Sequence, residues 1–143
     1  MLSETLDTWH IDLAGREILM FTIDYRVTLH LHGQSTYDGS VLLAEPFELR
    51  PPDGPPRVLD PVRQAELGPV LDCFKKVVDS VVVSRRDGSV VVTFTDRTTI
   101  AAHSHEQYEA WEVDAPGIKI IAKPGGGEPI LFLADNRVDF GRE

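Results

Sequence analysis

Two His-x-His pairs are the residues whose type and spacing most directly suggest chemistry. His30 and His32 alternate with apolar residues, so both imidazoles are expected on one face of a strand, about 6.5–7 Å apart. His103 and His105 repeat the spacing, and Glu109 follows them. Imidazole and carboxylate groups bind transition metals, so the two pairs with Glu109 could form a metal-dependent or small-molecule site. The alternative is a solvated sheet face, because the spacing specifies no third or fourth ligand.

A second candidate site combines aromatic residues with a glycine-rich loop. Tyr108, Glu109 and Trp111 bring two aromatic rings and a carboxylate close together in sequence, and aromatic side chains dominate binding hot spots. Gly125 and Gly126 belong to a Pro-Gly-Gly-Gly-Glu-Pro loop between two predicted strands. We take these five residues as candidates for ligand or partner binding. Core packing of the tryptophan is the simpler interpretation, and the loop lacks the helix and lysine of a phosphate site.

The lone cysteine, Cys73, could act as a nucleophile with a histidine. It stands beside Phe74 in a predicted helical segment, where a free cysteine most often serves as a small buried hydrophobic residue. The chain has no Gly-x-Ser-x-Gly motif for serine hydrolysis. We therefore assign no catalytic residue and expect no cofactor, and the sequence favours a non-enzymatic role.

Alternating apolar residues predict that strands position these candidates. The predicted strands cover residues 17–25, 26–32, 36–49, 77–84, 90–95, 98–102, 109–113, 118–122 and 130–133, and the third is expected to be broken near Asp38-Gly39 and Pro46. In the first of them, Leu19, Phe21, Ile23 and Tyr25 are expected on one face, and Ile18, Met20 and Thr22 on the other.

One short helical segment is expected at about residues 69–76, because Val70, Leu71 and Phe74 form a narrow apolar stripe. Asp60, followed by a proline, has the residue types of an N-cap and first helical position, which predicts a helical turn before that segment.

The strand pattern also repeats weakly. Val27-x-Leu29-x-Leu31 matches Val90-x-Val92-x-Phe94 at an offset of 63 residues, which is 90 minus 27. We expect an α+β fold of mostly antiparallel strands, with two three-stranded meander-like units around the helical segment and a C-terminal hairpin. We interpret the Pro-rich stretch 51–56 as an internal loop, so that residues 1–143 form a single domain.

The charge balance limits the partners. The chain has 14 Lys and Arg against 23 Asp and Glu, a net charge of -9, and an acidic surface repels nucleic acids and anionic membranes. We expect no nucleic-acid or membrane partner and a cytoplasmic location, because the N-terminus does not resemble a secretory signal and the lone cysteine fits a reducing compartment. A binding protein of immunity or regulatory type with a basic partner is favoured, and a homo-oligomer stays open.

Several short motifs, in order and spacing, carry a resemblance to a known family. They are Gly15-Arg16-Glu17-Ile18, Pro46-Phe47-Glu48-Leu49, Asp60-Pro61, Asp87-Gly88-Ser89 with Thr93-Phe94, Tyr108-Glu109-Ala110-Trp111 and Pro124-Gly125-Gly126. The chain resembles a bacterial, mainly actinomycete, domain of unknown function over most of its length. It departs from the expected pattern at Asp96-Arg97-Thr98, where the resemblance implies an Asp-Gly turn, and in the tail after Phe132. The resemblance implies a fold and no activity.

Overall fold

The computed structural model describes residues 2–33 and 37–134, which form thirteen strands in two antiparallel sheets. The strands are β1 (Leu2–Glu4), β2 (Thr8–Ile11), β3 (Glu17–Ile23), β4 (Val27–His32), β5 (Tyr37–Leu43), β6 (Phe47–Arg50), β7 (Arg57–Leu59), β8 (Val78–Ser84), β9 (Val90–Phe94), β10 (Thr99–Ala102), β11 (Trp111–Ala115), β12 (Ile118–Ile121) and β13 (Ile130–Leu133). One sheet has the order β1-β2-β8-β9-β10-β6-β7 and the other β13-β12-β11-β5-β4-β3. A 3-10 turn (Gln64–Glu66) and helix α1 (Gly68–Leu71) connect β7 to β8.

Both sheets bury one face in a shared apolar cluster. Strand β4 contributes Val27, Leu29 and Leu31, each with no exposed surface, and the corresponding positions of β9 are buried as well. These strands confirm the alternation expected from the sequence, because side chains of a strand point to opposite faces with a period of two residues. Burial of such aliphatic side chains stabilises the fold by about 1.5–3 kcal/mol each.

The start of β3 joins the two sheets. The amide of Ile18 donates to the carbonyl of Lys76 (3.1 Å), and the amide of Lys75 donates to the carbonyl of Ile18 (2.7 Å). The amide of Val78 donates in turn to the carbonyl of Arg16 (2.7 Å). These bonds attach the segment that leads into β8 to the six-stranded sheet, so the two sheets are held together by backbone as well as by the core.

The expected faces of β3 are wrong at its beginning. The pairing of β3 with β4 shifts between Ile18 and Met20, which marks a β-bulge. A bulge adds one residue to a strand and reverses the alternation beyond it. Ile18 is therefore buried on the same side as the partly buried Phe21, whereas Leu19 is exposed. A period-two pattern cannot reveal this change of phase.

The helical content is smaller than an α+β fold implies, and the protein is mostly antiparallel β. Helix α1 has four residues rather than the eight expected, because the amides of Cys73 and Phe74 donate to carbonyls three residues back, in tight turns, and the backbone then turns left-handed at Lys75 (φ +73°). The predicted stripe is also wrong in part, since Val70 is buried whereas Leu71 and Phe74 are 43% and 48% exposed. Asp60 does not cap a helix; its carboxylate accepts a hydrogen bond from the amide of Val62 (3.1 Å) in a turn.

The turn between β9 and β10 holds a non-glycine residue in a left-handed conformation. Arg97 has φ +76° and an exposed side chain, and it stands where the resemblance implied glycine. Such a conformation costs an L-residue about 1–2 kcal/mol more than it costs glycine, partly offset by the greater freedom of glycine in the unfolded chain. We expect Arg97→Gly to raise the free energy of unfolding by about 0.5–1 kcal/mol in urea titrations. Arg86→Gly, at an exposed residue without positive φ, should lower it, and equal effects would contradict this explanation.

The same turn contains an ion pair that makes stability depend on pH. Burial raises the pKa of Asp96, but hydrogen bonds from the Lys76 ammonium and from the amide and hydroxyl of Thr98 outweigh it and lower the pKa to about 2. A lowered folded-state pKa stabilises the fold above the ordinary value of 3.8, and this contribution is lost as the pH falls towards 2. The urea midpoint of the wild type should therefore fall more steeply between pH 4 and pH 2 than that of Asp96→Asn. Parallel curves would contradict the role of Asp96, and Asp53→Asn on the surface is the control.

Among residues 2–33 and 37–134, no helix has the length and hydropathy that crossing a membrane requires.

Candidate functional site

Three loops meet at one end of the molecule and contain most of the candidate residues. Loop 103–110 joins β10 to β11, the glycine loop 122–129 joins β12 to β13, and the hairpin 85–89 joins β8 to β9. Ser104 links the first to the third, because its hydroxyl donates to the carbonyl of Asp87 at 3.4 Å. The two regions selected from sequence, Tyr108 to Trp111 and the glycine loop, thus lie side by side.

The glycine loop fixes the backbone of loop 103–110. The amide of Gly125 donates to the carbonyl of His105 at 2.9 Å. Gly125, Gly126 and Gly127 all have φ between +83° and +89°, a region open mainly to glycine, so the sequence Gly-Gly-Gly is what allows this path. These glycines therefore act as a support for the neighbouring loop, and no anion-binding role is needed to explain them.

His105 holds Tyr108 in place within loop 103–110. Its Nδ1 accepts a hydrogen bond from the amide of Gln107 (3.0 Å), which places the proton of the neutral ring on Nε2, 3.7 Å from a carboxylate oxygen of Glu45. The imidazole stacks on the Tyr108 ring with centroids 5.2 Å apart. Tyr108 nevertheless remains 59% exposed, and Glu109 beside it is exposed as well. The loop therefore presents an aromatic ring and a carboxylate on a fixed backbone.

Trp111 belongs to the core and not to the surface of this site. Its side chain has no exposed area, and its indole N–H donates to the carbonyl of Gly88 at 2.9 Å. The bond connects the six-stranded sheet to the hairpin of the other sheet. The core-packing interpretation of Trp111 is thus confirmed, and this residue supports the loops from inside.

Ionic contacts complete this end of the molecule. Arg85 binds carboxylates of Glu128 (3.0 Å) and Glu4 (2.6 Å), and its guanidinium lies 5.0 Å from the centre of the Trp9 ring. Asp87 accepts from the hydroxyl and amide of Ser89, and both bonds lower the pKa of Asp87. Sequence reasoning missed Arg85 and Glu128, which are 43 positions apart and meet only through the sheet order.

The structure does not bring the two His-x-His pairs together. His30 and His32 both lie on the outer face of β4, as expected, because the residues between them are buried. Trp111 directly follows loop 103–110. Trp111 and Val27 are both paired with Leu43, from the two neighbouring strands, so the three residues form one row across the sheet. His30 and His32 lie three and five residues along β4 from that row, roughly 10 and 17 Å away, and are thus displaced from the start of β11, where loop 103–110 ends.

The surroundings of these histidines give no metal site. The hydroxyl of Thr22 and Nε2 of His30 are hydrogen-bonded at 2.8 Å, and burial, followed by the nearby His32, lowers the pKa of His30. In the part of the chain that the structure describes, no three His, Cys, Asp or Glu side chains are grouped so as to hold a metal ion. The metal site expected from His30, His32, His103, His105 and Glu109 is therefore not assembled among those residues.

The environment of Cys73 also argues against a role as a nucleophile. The side chain is buried beneath the helical segment, and burial raises the pKa of its thiol to about 11. Because the thiolate is the nucleophile, a thiol with this pKa is unreactive at neutral pH.

A model of the family described as "Family of unknown function (DUF6188)" matches residues 9–129, a span that includes all the motifs from Gly15 to Gly126. The match agrees with the resemblance to a domain of unknown function drawn from those motifs. No curated protein and no solved structure matches the chain.

Proposed function

We propose, from the premise that the chain belongs to the DUF6188 family of unknown function, that it is a non-enzymatic binding protein. Its contact element is loop 103–110, and its partner is a basic protein. The role is of the immunity or regulatory type, in which the acidic protein masks a cationic surface, and its place is the cytoplasm. The observation that carries the proposal is the Tyr108 ring, exposed and yet held in one position.

Tyr108 has the properties of an interface anchor. Tyrosine is enriched among hot-spot residues, where a single truncation costs 2 kcal/mol or more of binding free energy, about a 30-fold loss of affinity. Fixing an aromatic side chain before binding reduces the entropy that association would otherwise cost. The stacking on His105 and the hydrogen bond from Gly125 supply this fixation.

The charges of the chain segment on either side of Tyr108 favour a basic partner. No Lys or Arg occurs from residue 98 to residue 118, whereas this stretch contains Glu106, Glu109, Glu112 and Asp114. Glu112 is paired with Lys119 at 3.7 Å, but Glu106 and Glu109 are exposed next to the tyrosine. Complementary charges of this kind accelerate association and discriminate against acidic competitors.

The proposal is tested by capture of proteins from the organism that encodes the chain. Wild-type protein and the Tyr25→Ala variant should retain the same basic protein at low salt. The Tyr108→Ala variant should bind that protein with about 30-fold lower affinity. Tyr25 is the matched control, because it is also an exposed tyrosine, 76% accessible, in the turn between β3 and β4. Exchange of Glu106 and Glu109 for glutamine should slow association, with a smaller dependence on salt.

Two outcomes would refute the proposal. One is retention of the captured protein by Tyr108→Ala at the wild-type level. The other is a captured protein of acidic charge whose binding does not weaken with salt.

We propose further that β3–β5 and β8–β10 are copies of one three-stranded unit. Each set consists of consecutive antiparallel strands. The first strand of each set has a register shift near its start. The shift lies between Ile18 and Met20 in β3 and between Val78 and Ser80 in β8, so the two shifts are 60 residues apart in sequence. The offset of the second strands is 63. Between the last paired residues, three residues separate Ile23 from Val27 and six separate Val83 from Val90, which accounts for the difference of three. An experimental structure that lacked either bulge would remove this support.

A further inference from the structure

A slot of about 230 Å³ opens beside the helical segment, away from loop 103–110. Leu49, Pro51, Pro52 and Pro69 supply its apolar walls, and the buried Cys73 and Thr98 lie at its base. Proline fixes the backbone angle φ, so three of the wall residues are held by their own covalent structure. The slot is therefore formed before any ligand enters, and its size suits a molecule smaller than the usual drug-sized ligand.

Three charged side chains also line the slot, and two of them have no partner. Lys76 is neutralised by Asp96. The side chains of Arg57 and Asp72, by contrast, are exposed and form no hydrogen bond or ion pair with any residue in the described ranges 2–33 and 37–134. The apolar slot is thus lined by one exposed, unpaired guanidinium and one exposed, unpaired carboxylate.

The hairpin register places Arg57 beside an apolar wall of the slot. Arg57 is paired with Leu49 across the β6–β7 hairpin, so its side chain leaves the sheet on the same face as that leucine while remaining exposed. Charged side chains can protect an edge strand from pairing with other chains, and β7 is an edge strand. That role does not account for Asp72, which lines the same slot from another element.

We propose that the slot binds a free α-amino acid with an apolar side chain. Arg57 would donate two parallel hydrogen bonds to the carboxylate, and the Asp72 carboxylate would accept hydrogen bonds from the ammonium group. The side chain would lie between the proline walls. A zwitterion is the ligand class that satisfies both free charges and the apolar walls together, and a slot of this volume takes leucine or phenylalanine. This site goes beyond the proposed binding of a protein partner and shares no residue with loop 103–110.

The test is a titration of the intact protein followed by calorimetry and by amide chemical shifts. L-Leucine should bind saturably, with shifts around the slot. 4-Methylpentanoate, which lacks the ammonium group, and 3-methylbutylamine, which lacks the carboxylate, should each bind about tenfold more weakly, since each lacks one of the two hydrogen-bonded charge contacts. Glycine, which lacks the side chain, should show no saturable binding.

Variants assign the two charges separately. Arg57→Gln should weaken leucine about tenfold and abolish its advantage over 3-methylbutylamine, and Asp72→Asn should abolish its advantage over 4-methylpentanoate. Arg63→Gln is the control, because Arg63 is exposed, paired with Asp60 and Glu66 at 3.9 and 3.8 Å, and outside the slot. The unfolding midpoints of all three variants should match the wild type.

Three results would overturn the proposal. The first is a failure of both leucine and phenylalanine to saturate the protein at millimolar concentration. The second is binding of 4-methylpentanoate as tight as that of leucine, which would make the site one for simple anions. The third is unchanged leucine binding by Arg57→Gln, in which case Arg57 serves only to protect the edge of β7.

Discussion

Replacement of Trp111 by alanine is expected to lower the free energy of unfolding by about 3–5 kcal/mol, because a fully buried aromatic side chain is removed from the core. Besides the lost packing, the substitution removes the hydrogen bond that the indole N–H donates to the Gly88 carbonyl. Urea titration monitored by far-ultraviolet circular dichroism measures the effect. Loss of the bond to the hairpin should also weaken partner binding through Tyr108.

The two tryptophans of the chain separate the hydrogen bond from the packing. Trp9 is also buried, but among the described residues its indole N–H has no hydrogen-bond partner. Trp111→Phe should therefore destabilise the protein by about 1–2 kcal/mol more than Trp9→Phe, because only the former leaves a carbonyl unsatisfied. Equal losses for the two variants would show that the bond to Gly88 contributes nothing.

Gly88→Ala is expected to lower the free energy of unfolding by about 3 kcal/mol, the sum of backbone strain and a steric clash. Gly88 has φ +78°, and a Cβ there would lie 2.7 Å from the carbonyl oxygen of Gly127. The clash would push the glycine loop away from the hairpin and so disturb the support of loop 103–110.

Gly117 is a closely matched control for Gly88. Its φ is +77°, but a Cβ at this position would meet no atom within 4 Å. Gly117→Ala should therefore cost only the backbone strain, about 1 kcal/mol. If thermal or urea unfolding gave the same loss for both variants, the close approach of the hairpin and the glycine loop would be contradicted.

Strand positions could be predicted from the sequence wherever alternation alone decides burial. Val27, Leu29 and Leu31 were expected on one face, and all three are buried. The prediction failed at Ile18, because a bulge changes the phase of the alternation without changing the residue types. The division of strands between two sheets, with β6 beside β10, depends on contacts distant in sequence and has no local signal.

The helical prediction failed for a different reason. Residues 69–76 have helix-compatible types, but the Lys75 amide donates to the Ile18 carbonyl of β3, and Lys75 adopts a left-handed conformation there. A tertiary contact with β3 thus overrides local propensity.

The candidate site was predictable in part. Tyr108 and the glycine loop were selected from composition, and they do lie together. The supporting role of His105 was not predicted, since its stacking partner and Glu45 are identified only by the fold. Arg57 and Asp72 gave no sequence signal, because they approach one slot through a hairpin register and a helical turn.

The measurement that tests the central claim most directly is photo-crosslinking from position 108. A benzophenone amino acid replaces Tyr108 in one variant and Tyr25 in another, and each is irradiated in a lysate of the encoding organism at low salt. The account predicts a crosslinked basic protein from position 108 and none from position 25. No adduct from position 108, or the same adduct from both positions, would contradict it.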